Sequence, residues 1–163
     1  MKMKTKDTYF LAHLRADSRM PLTRLSRLTQ TPVSTLFDRL KNHKGLIKKF
    51  TVLPDFAKLG FGTRVCAAIK VEKEDKEELE KFLEKHLNVN SLFKINNGFN
   101  FLIDGVFRDM GEVEEFKDHL ESKFQIRGMD IFYILGEIKQ ESFLDSSMKV
   151  DALGSDNHVE RAQ

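Results

Sequence analysis

The sequence predicts an α+β protein of two modules, a basic three-helix segment followed by a four-stranded antiparallel sheet with two helices on one face. Three observations predict it. Charge is segregated: residues 1–54 carry 12 Lys and Arg against three acids, a net of +9, while residues 55–163 carry 15 against 22, a net of −7, within an overall +2. Apolar residues recur at helical spacing as far as Leu40. Beyond Gly62 the periodicity alternates between two and 3.6, in the order strand, helix, strand, strand, helix, strand.

The first helix carries Phe10, Leu11 and Leu14, the second Leu22, Leu25 and Leu28, the third Val33, Leu36, Phe37 and Leu40. Asp17-Ser18-Arg19-Met20-Pro21 separates the first two, with Pro21 suited to a first helical turn. Thr31-Pro32 supplies an N-cap and a proline at the first position of the third helix, expected from about Pro32 to Lys44 and closed by Gly45. Leu46 to Val52 then reads as a short extended segment ended by Pro54. Together these form the pattern of a winged helix-turn-helix over residues 1–54. In its third helix Val33, Leu36, Phe37 and Leu40 are expected to face the other helices, leaving Ser34, Thr35, Asp38, Lys41 and Asn42 outward with Arg39 at the edge. With Thr23, Arg24, Arg27 and Thr31 on the second helix and the turn, these are the candidate DNA contacts. Such side chains read base edges in a major groove or hold phosphates. A Glu-free segment at +9 suits a phosphate-neutralising surface. An ordinary solvated face, with Ser34 and Thr35 as first-turn residues, is the alternative.

Residues 55–61 read as a linker to a module over residues 62–140. Val65, Ala67, Ile69 and Val71 alternate with Arg64, Cys66, Ala68 and Lys70 as in a half-buried strand. Asp75 to Leu87 is helical, with Leu79, Phe82, Leu83 and Leu87 on one stripe. Strands follow at Asn90 to Ile95 and Phe99 to Arg108, joined by Asn96-Asn97-Gly98, a hairpin turn by composition. A second helix covers Gly111 to Phe124 and a last strand Met129 to Ile138. That order is the ferredoxin-like βαββαβ arrangement, whose helices cover one sheet face. Eleven of the 14 Phe lie after residue 55, and no remaining segment is long and apolar enough to cover the other face. A face left bare in this way marks a homodimer interface, with Phe99, Phe101, Ile103 and Phe107 as one alternating set, on whichever side it points. Residues 141–163, poor in apolar residues, are expected to be a flexible tail.

At 18.9 kDa the chain can bury real cores. No apolar run approaches the ~18 residues of a membrane helix, and Met1-Lys2-Met3-Lys4 leads into polar Asp7, so a cytoplasmic protein is expected. The one cysteine, Cys66, excludes an internal disulfide and paired-cysteine metal motifs. No metal, cofactor or catalytic residue is expected. None of His13, His43, His86, His119 and His158 adjoins a nucleophile motif, and Gly60-Phe61-Gly62 precedes a strand instead of opening a helix.

Several spaced motifs in one order resemble the leucine-responsive and asparagine-synthesis regulator family of transcription factors. They are Asp7-x-x-Phe10-Leu11-x-x-Leu14-x-x-Asp17-x-Arg19, Leu25-Ser26, Ser34-Thr35-Leu36-x-x-Arg39-Leu40, Gly45-Leu46-Ile47-x-x-Phe50-Thr51 and Leu59-Gly60. The resemblance spans about residues 7–140. It implies a double-stranded DNA-binding regulator acting as a homodimer, or as a tetramer or octamer. It also implies a small, amino-acid-like effector bound between subunits near Asn97, Gly98, Phe99 and Asn100. Two departures stand out. Leu40 to Gly45 is shorter than the family pattern, with His43 where a leucine is common. Asn97-Gly98-Phe99-Asn100-Phe101 shifts the effector-loop glycine and puts an amide where a carboxylate would pair with an ammonium group, which implies weak or no response to free amino acids. Sirohaem decarboxylases resemble the same two-domain build. In that alternative Arg64, His86 or His119 would bind a tetrapyrrole.

Overall fold

Helices α1 (Thr5–Ala16), α2 (Leu22–Thr29) and α3 (Val33–Lys41) close around Phe10, Leu14, Leu25 and Leu36 in the computed structural model, which describes residues 5–41 and 47–155. Asp17 ends α1: its carboxylate accepts from Arg19 N (3.0 Å) and its carbonyl from Met20 N (3.1 Å). Pro21 is the cap before α2, its carbonyl accepting from Leu25 N, and not a first-turn residue. Gln30 turns left-handed after α2 (φ 49°), and the chain re-enters helix at Val33, with Pro32 O accepting from Leu36 N. The expected end of α3 near Gly45 lies outside the described residues. From 47 to 55 there is no strand among the described residues, where a short extended segment was expected. A short 3-10 turn, Ala57–Leu59, precedes the sheet.

The chain divides into two compact units, one of Met1–Val52 with Ile138–Gln163, the other of Leu53–Glu137. The first includes a helix where a flexible tail was expected, α6 (Ser147–Ser155). Val150 of α6 is buried, the Tyr9 hydroxyl of α1 donates to Asp151, and Arg15 donates to both the carbonyl and the carboxylate of Glu141 (2.8 and 2.9 Å). Ser146, Ser147, Gly154 and Ser155 around Val150 are what hid this helix in the sequence.

The second unit is a four-stranded antiparallel sheet in the order β2-β3-β1-β4, with β1 Thr63–Val71, β2 Val89–Lys94, β3 Phe101–Phe107 and β4 Ile126–Tyr133. Helices α4 (Lys76–Lys85) and α5 (Met110–Lys123) fill the two crossovers. Asp109 caps α5 by accepting from Glu112 N, while the Glu112 carboxylate reaches back to accept from Arg108 N, one residue before the cap. Period-2 alternation sends Val65, Ala67 and Ile69 of β1 and Phe101, Ile103 and Phe107 of β3 into one core with Leu79 and Leu83 of α4 and Val113, Phe116 and Leu120 of α5. Gly105 shares that face. A Cβ there would stand 2.6 Å from the Phe107 ring, so the missing side chain makes room for the aromatic one. β4 ends at Tyr133, opposite Val65 and five residues short of the expected Ile138; one further bond, from Ile134 N to Arg64 O, follows, and β1 begins only at Thr63, leaving the later residues no partner in it.

Phe101, 0% exposed, therefore belongs to the helix-side core. Phe101→Ala is expected to lower unfolding stability by about 3–5 kcal/mol in denaturant titrations. Phe101→Lys should unfold the module rather than only separate subunits.

Candidate nucleic-acid interface

Thr23, Arg24 and Arg27 on α2 and Ser34, Thr35, Asp38 and Lys41 on α3 are all exposed, as expected of DNA contacts. Asn42 lies outside the described residues. Thr31 does not join the exposed set: it is 6% exposed and its hydroxyl donates to Thr29 O (3.1 Å), which holds the turn between the helices. Arg39 is half-buried, with Nη1 3.0 Å from the Asp7 carboxylate of α1. That nitrogen is buried and has no aligned hydrogen-bond partner among the described residues, so the pair acts through charge and proximity. Arg39 braces α3 on α1 in place of reaching outward.

The stripe expected to face inward also divides. Leu36 is fully buried and Leu40 half-buried, but Val33 and Phe37 are 40% and 56% exposed. Phe37 stands roughly 100° round the helix from Leu36, at the limit of what α1 and α2 cover. Hydrophobicity was the only signal in the sequence, and it pointed the wrong way.

In the second unit the hairpin turn takes the form its composition implied. Asn97 and Gly98 both have positive φ (62° and 91°), the pair a tight twisted hairpin needs. Asn97 and Gly98 are exposed, Phe99 and Asn100 half-buried. Asn100 is engaged across the sheet: its N–H donates to Ile69 O (2.9 Å), its carbonyl accepts from Ile95 N (3.0 Å), and its side-chain oxygen accepts from Val71 N (2.9 Å). Val71 lies at the register shift of β1 against β4, and β3 begins only at Phe101, so the amide serves a donor that the ladder misses.

The sheet face opposite α4 and α5 mixes apolar and charged groups. Phe93 and Phe132 are 54% and 58% exposed, with Cys66 and Leu102 half-buried beside them. Arg64 grips Asp104 with two bonds (2.7 and 3.0 Å) and reaches Glu137 with a third (3.0 Å), and Asn90 donates to Asp104 at 2.6 Å. The Asp104 hydrogen bond pushes the Arg64 pKa up against the cost of burial, so this cation stays charged. Burial, helped by Asp104, pushes the Cys66 thiol up, away from reactive thiolate character.

His86 and His119 lie on the other side of the sheet. His86 packs against Phe116 (centroids 4.8 Å) and Phe82 (5.4 Å), and His119 against Phe82 (5.3 Å). Arg64 and the two histidines thus occupy opposite faces and line no common tetrapyrrole cavity. Among the described residues no three His, Cys, Asp or Glu side chains gather as metal ligands, and no helix is long and apolar enough to cross a membrane.

A basic helix-turn-helix unit joined to a ferredoxin-like sheet defines a two-domain regulator of the helix-turn-helix class. Residues 64–144 match the Lrp/AsnC ligand binding domain. A helix-turn-helix-type transcriptional regulator of Pyrococcus abyssi is 30% identical over 145 residues, covering 82% of this chain and 92% of the relative. The transcriptional regulator AzlB of Bacillus subtilis is 27% identical over 140 residues, 82% of this chain and 89% of that protein. Among solved structures, a Neisseria meningitidis transcriptional regulator in complex with L-Met superposes with a TM-score of 0.77 at 22% identity, covering 85% of this chain and 94% of the other. AsnC of E. coli gives a TM-score of 0.74 at 14% identity, covering 86% and 97%. The chain belongs to the Lrp/AsnC family of transcription regulators.

Burial lowers the pKa of His86 from its ordinary 6.5, with nearby His119 adding to the effect. The unfolded chain therefore binds this proton at a higher pH than the folded one, and stability present above 6.5 is lost as pH falls below it. Unfolding free energy should drop on acidification from about pH 7 to about 5.5, and part of that drop should vanish in His86→Phe, which keeps a ring but cannot titrate.

Proposed function

We propose that this regulator binds double-stranded DNA as a homodimer or a ring of dimers, seating α3 in the major groove while Arg24 and Arg27 of α2 hold phosphates. The observation that carries the reading is the row of exposed Thr23, Arg24, Arg27, Ser34, Thr35, Asp38 and Lys41 on two adjacent helices of a segment at +9. Arg39 and Thr31 contribute from within, by setting the pitch of α3. DNA binding belongs to residues 1–54 and assembly to residues 62–140, with 55–61 between them. The protein works in the cytoplasm by binding, not by catalysis.

The sheet face bearing Phe93, Leu102 and Phe132 pairs with the same face of a second copy. Two exposed aromatic rings on an uncovered sheet favour burial, and the Arg64–Asp104 pair, satisfied within its own subunit, can enter such an interface without an unpaired charge. Recognition helices related by a two-fold axis then meet half-sites about 10 base pairs apart or a multiple of it.

Duplex binding by the full chain should weaken roughly a thousandfold between about 50 and 200 mM salt, as a phosphate-dominated complex does. Arg24→Ala and Arg27→Ala should each reduce the salt slope by about one. Phe132→Lys should sediment as a folded monomer with weakened DNA binding. A wild type that shifts neither random nor genomic duplexes at low salt contradicts the reading.

The effector binds at the subunit contact beside Asn97, Gly98, Phe99 and Asn100. The methionine complex of the Neisseria relative supports a small-molecule role for this domain. In this chain the Asn100 oxygen already accepts from Val71 N–H, and its remaining lone pair is a neutral acceptor that holds an ammonium group more weakly than a carboxylate would. Calorimetry with the twenty amino acids should therefore give little heat. Asn100→Asp keeps an acceptor for Val71, adds a charge, and should tighten amino-acid binding about fivefold or more, reflecting the roughly 1 kcal/mol advantage of a charge-assisted bond. Tight binding to the wild type would contradict this assignment.

A further inference from the structure

We infer that Phe37 is a base-reading residue that meets the C5-methyl group of thymine in the major groove, an assignment resting on the DNA-binding reading above. Phe37 is 56% exposed on α3, next to Asp38, one helical turn after Ser34 and one before Lys41. Helical spacing sets Ser34 and Lys41 roughly 60° and 40° round from Phe37, on the side away from Leu36 and Leu40. More than half of this aromatic side chain stands clear of the helical core, where it costs solubility.

The other side chains of α3 narrow what this helix can recognise. Arg39, which could otherwise fork onto a guanine, is held against Asp7. Ser34 and Thr35 discriminate weakly, Lys41 is an exposed cation, and Asp38 can accept only from an amino group such as that of cytosine. The major groove offers one apolar feature, the thymine methyl, and Phe37 is the large apolar group beside the polar readers. A polyanion suits the surroundings better than a protein partner does, because Arg24, Arg27 and Lys41 are exposed on the same two helices.

The test uses duplexes that the full chain retains from a random pool. Each thymine of the retained half-sites is replaced in turn by deoxyuridine, which differs only by the methyl, and affinities are compared for the wild type, Phe37→Ala and Phe37→Leu. For the wild type, one position in each half-site should lose about fourfold on demethylation, and the symmetric pair about sixteenfold, the effect of burying one carbon each. Phe37→Ala should bind the thymine duplex more weakly and treat thymine and uracil alike, with Phe37→Leu between. The inference is overturned if the wild type is indifferent to the methyl at every position, if retained half-sites lack thymine, or if Phe37→Ala keeps the full discrimination. Those results leave the DNA-binding reading standing, whereas a chain that retains no duplex at all overturns both.

Discussion

Everything in the larger unit depends on one constraint: two helices can cover only one face of an antiparallel sheet. Strict alternation along β1 and β3 commits Val65, Ala67 and Ile69, with Phe101, Ile103 and Phe107, to the helix side. A slip of one residue would exchange these for Arg64, Cys66, Asp104 and their neighbours, so register and core identity are one decision. Gly105 shows how tightly that side is filled, since its missing Cβ is the space into which Phe107 folds. The same alternation leaves the other face with a mixture of rings and ion pairs that suits a contact between molecules more than a protein interior.

The smaller unit solves a different problem, that of holding a recognition helix steady with few apolar residues. Phe10, Leu14, Leu25 and Leu36 make a small core. It is supplemented by polar braces: Thr31 tied to Thr29 O in the turn, and Arg39 against Asp7 between α3 and α1. Half-buried braces of this kind contribute modestly each. Their value lies in orientation, because a helix that rolls a few degrees presents different side chains. A cation spent inside the module in this way is unavailable to a ligand, and the chemistry of the outer face shifts toward hydroxyl, carboxylate and ring.

Strong periodicity made most of the elements legible in the sequence. The order of strands and helices, the Asn97-Gly98 turn and the exposure of Arg24, Arg27, Ser34 and Lys41 all follow from spacing and composition. What escaped was set by neighbours distant in sequence. Phe37 looks like core until one sees how little of α3 the other helices cover. Thr31 looks like a surface cap until the turn buries it, and β4 looks longer than the partner strand that supports it. Asn100 reads equally well as a ligand contact or an architectural amide, and the bond it accepts from Val71 N–H depends on a strand 29 residues away.

The pairing of α1 with α6 has a consequence for how the chain comes into being. Tyr9 and Asp151 are 142 positions apart, and the whole ferredoxin-like unit is encoded between them. During synthesis α1, α2 and α3 leave the ribosome first, and must wait for Val150 and Asp151 until every strand of the sheet has been made. The sheet, contiguous from Leu53 to Glu137, can assemble from what has already emerged. The earlier segment is thus completed last: α1, α2 and α3 can close on their own small core, but the contacts that dock α6 on α1 form only after the sheet has been made.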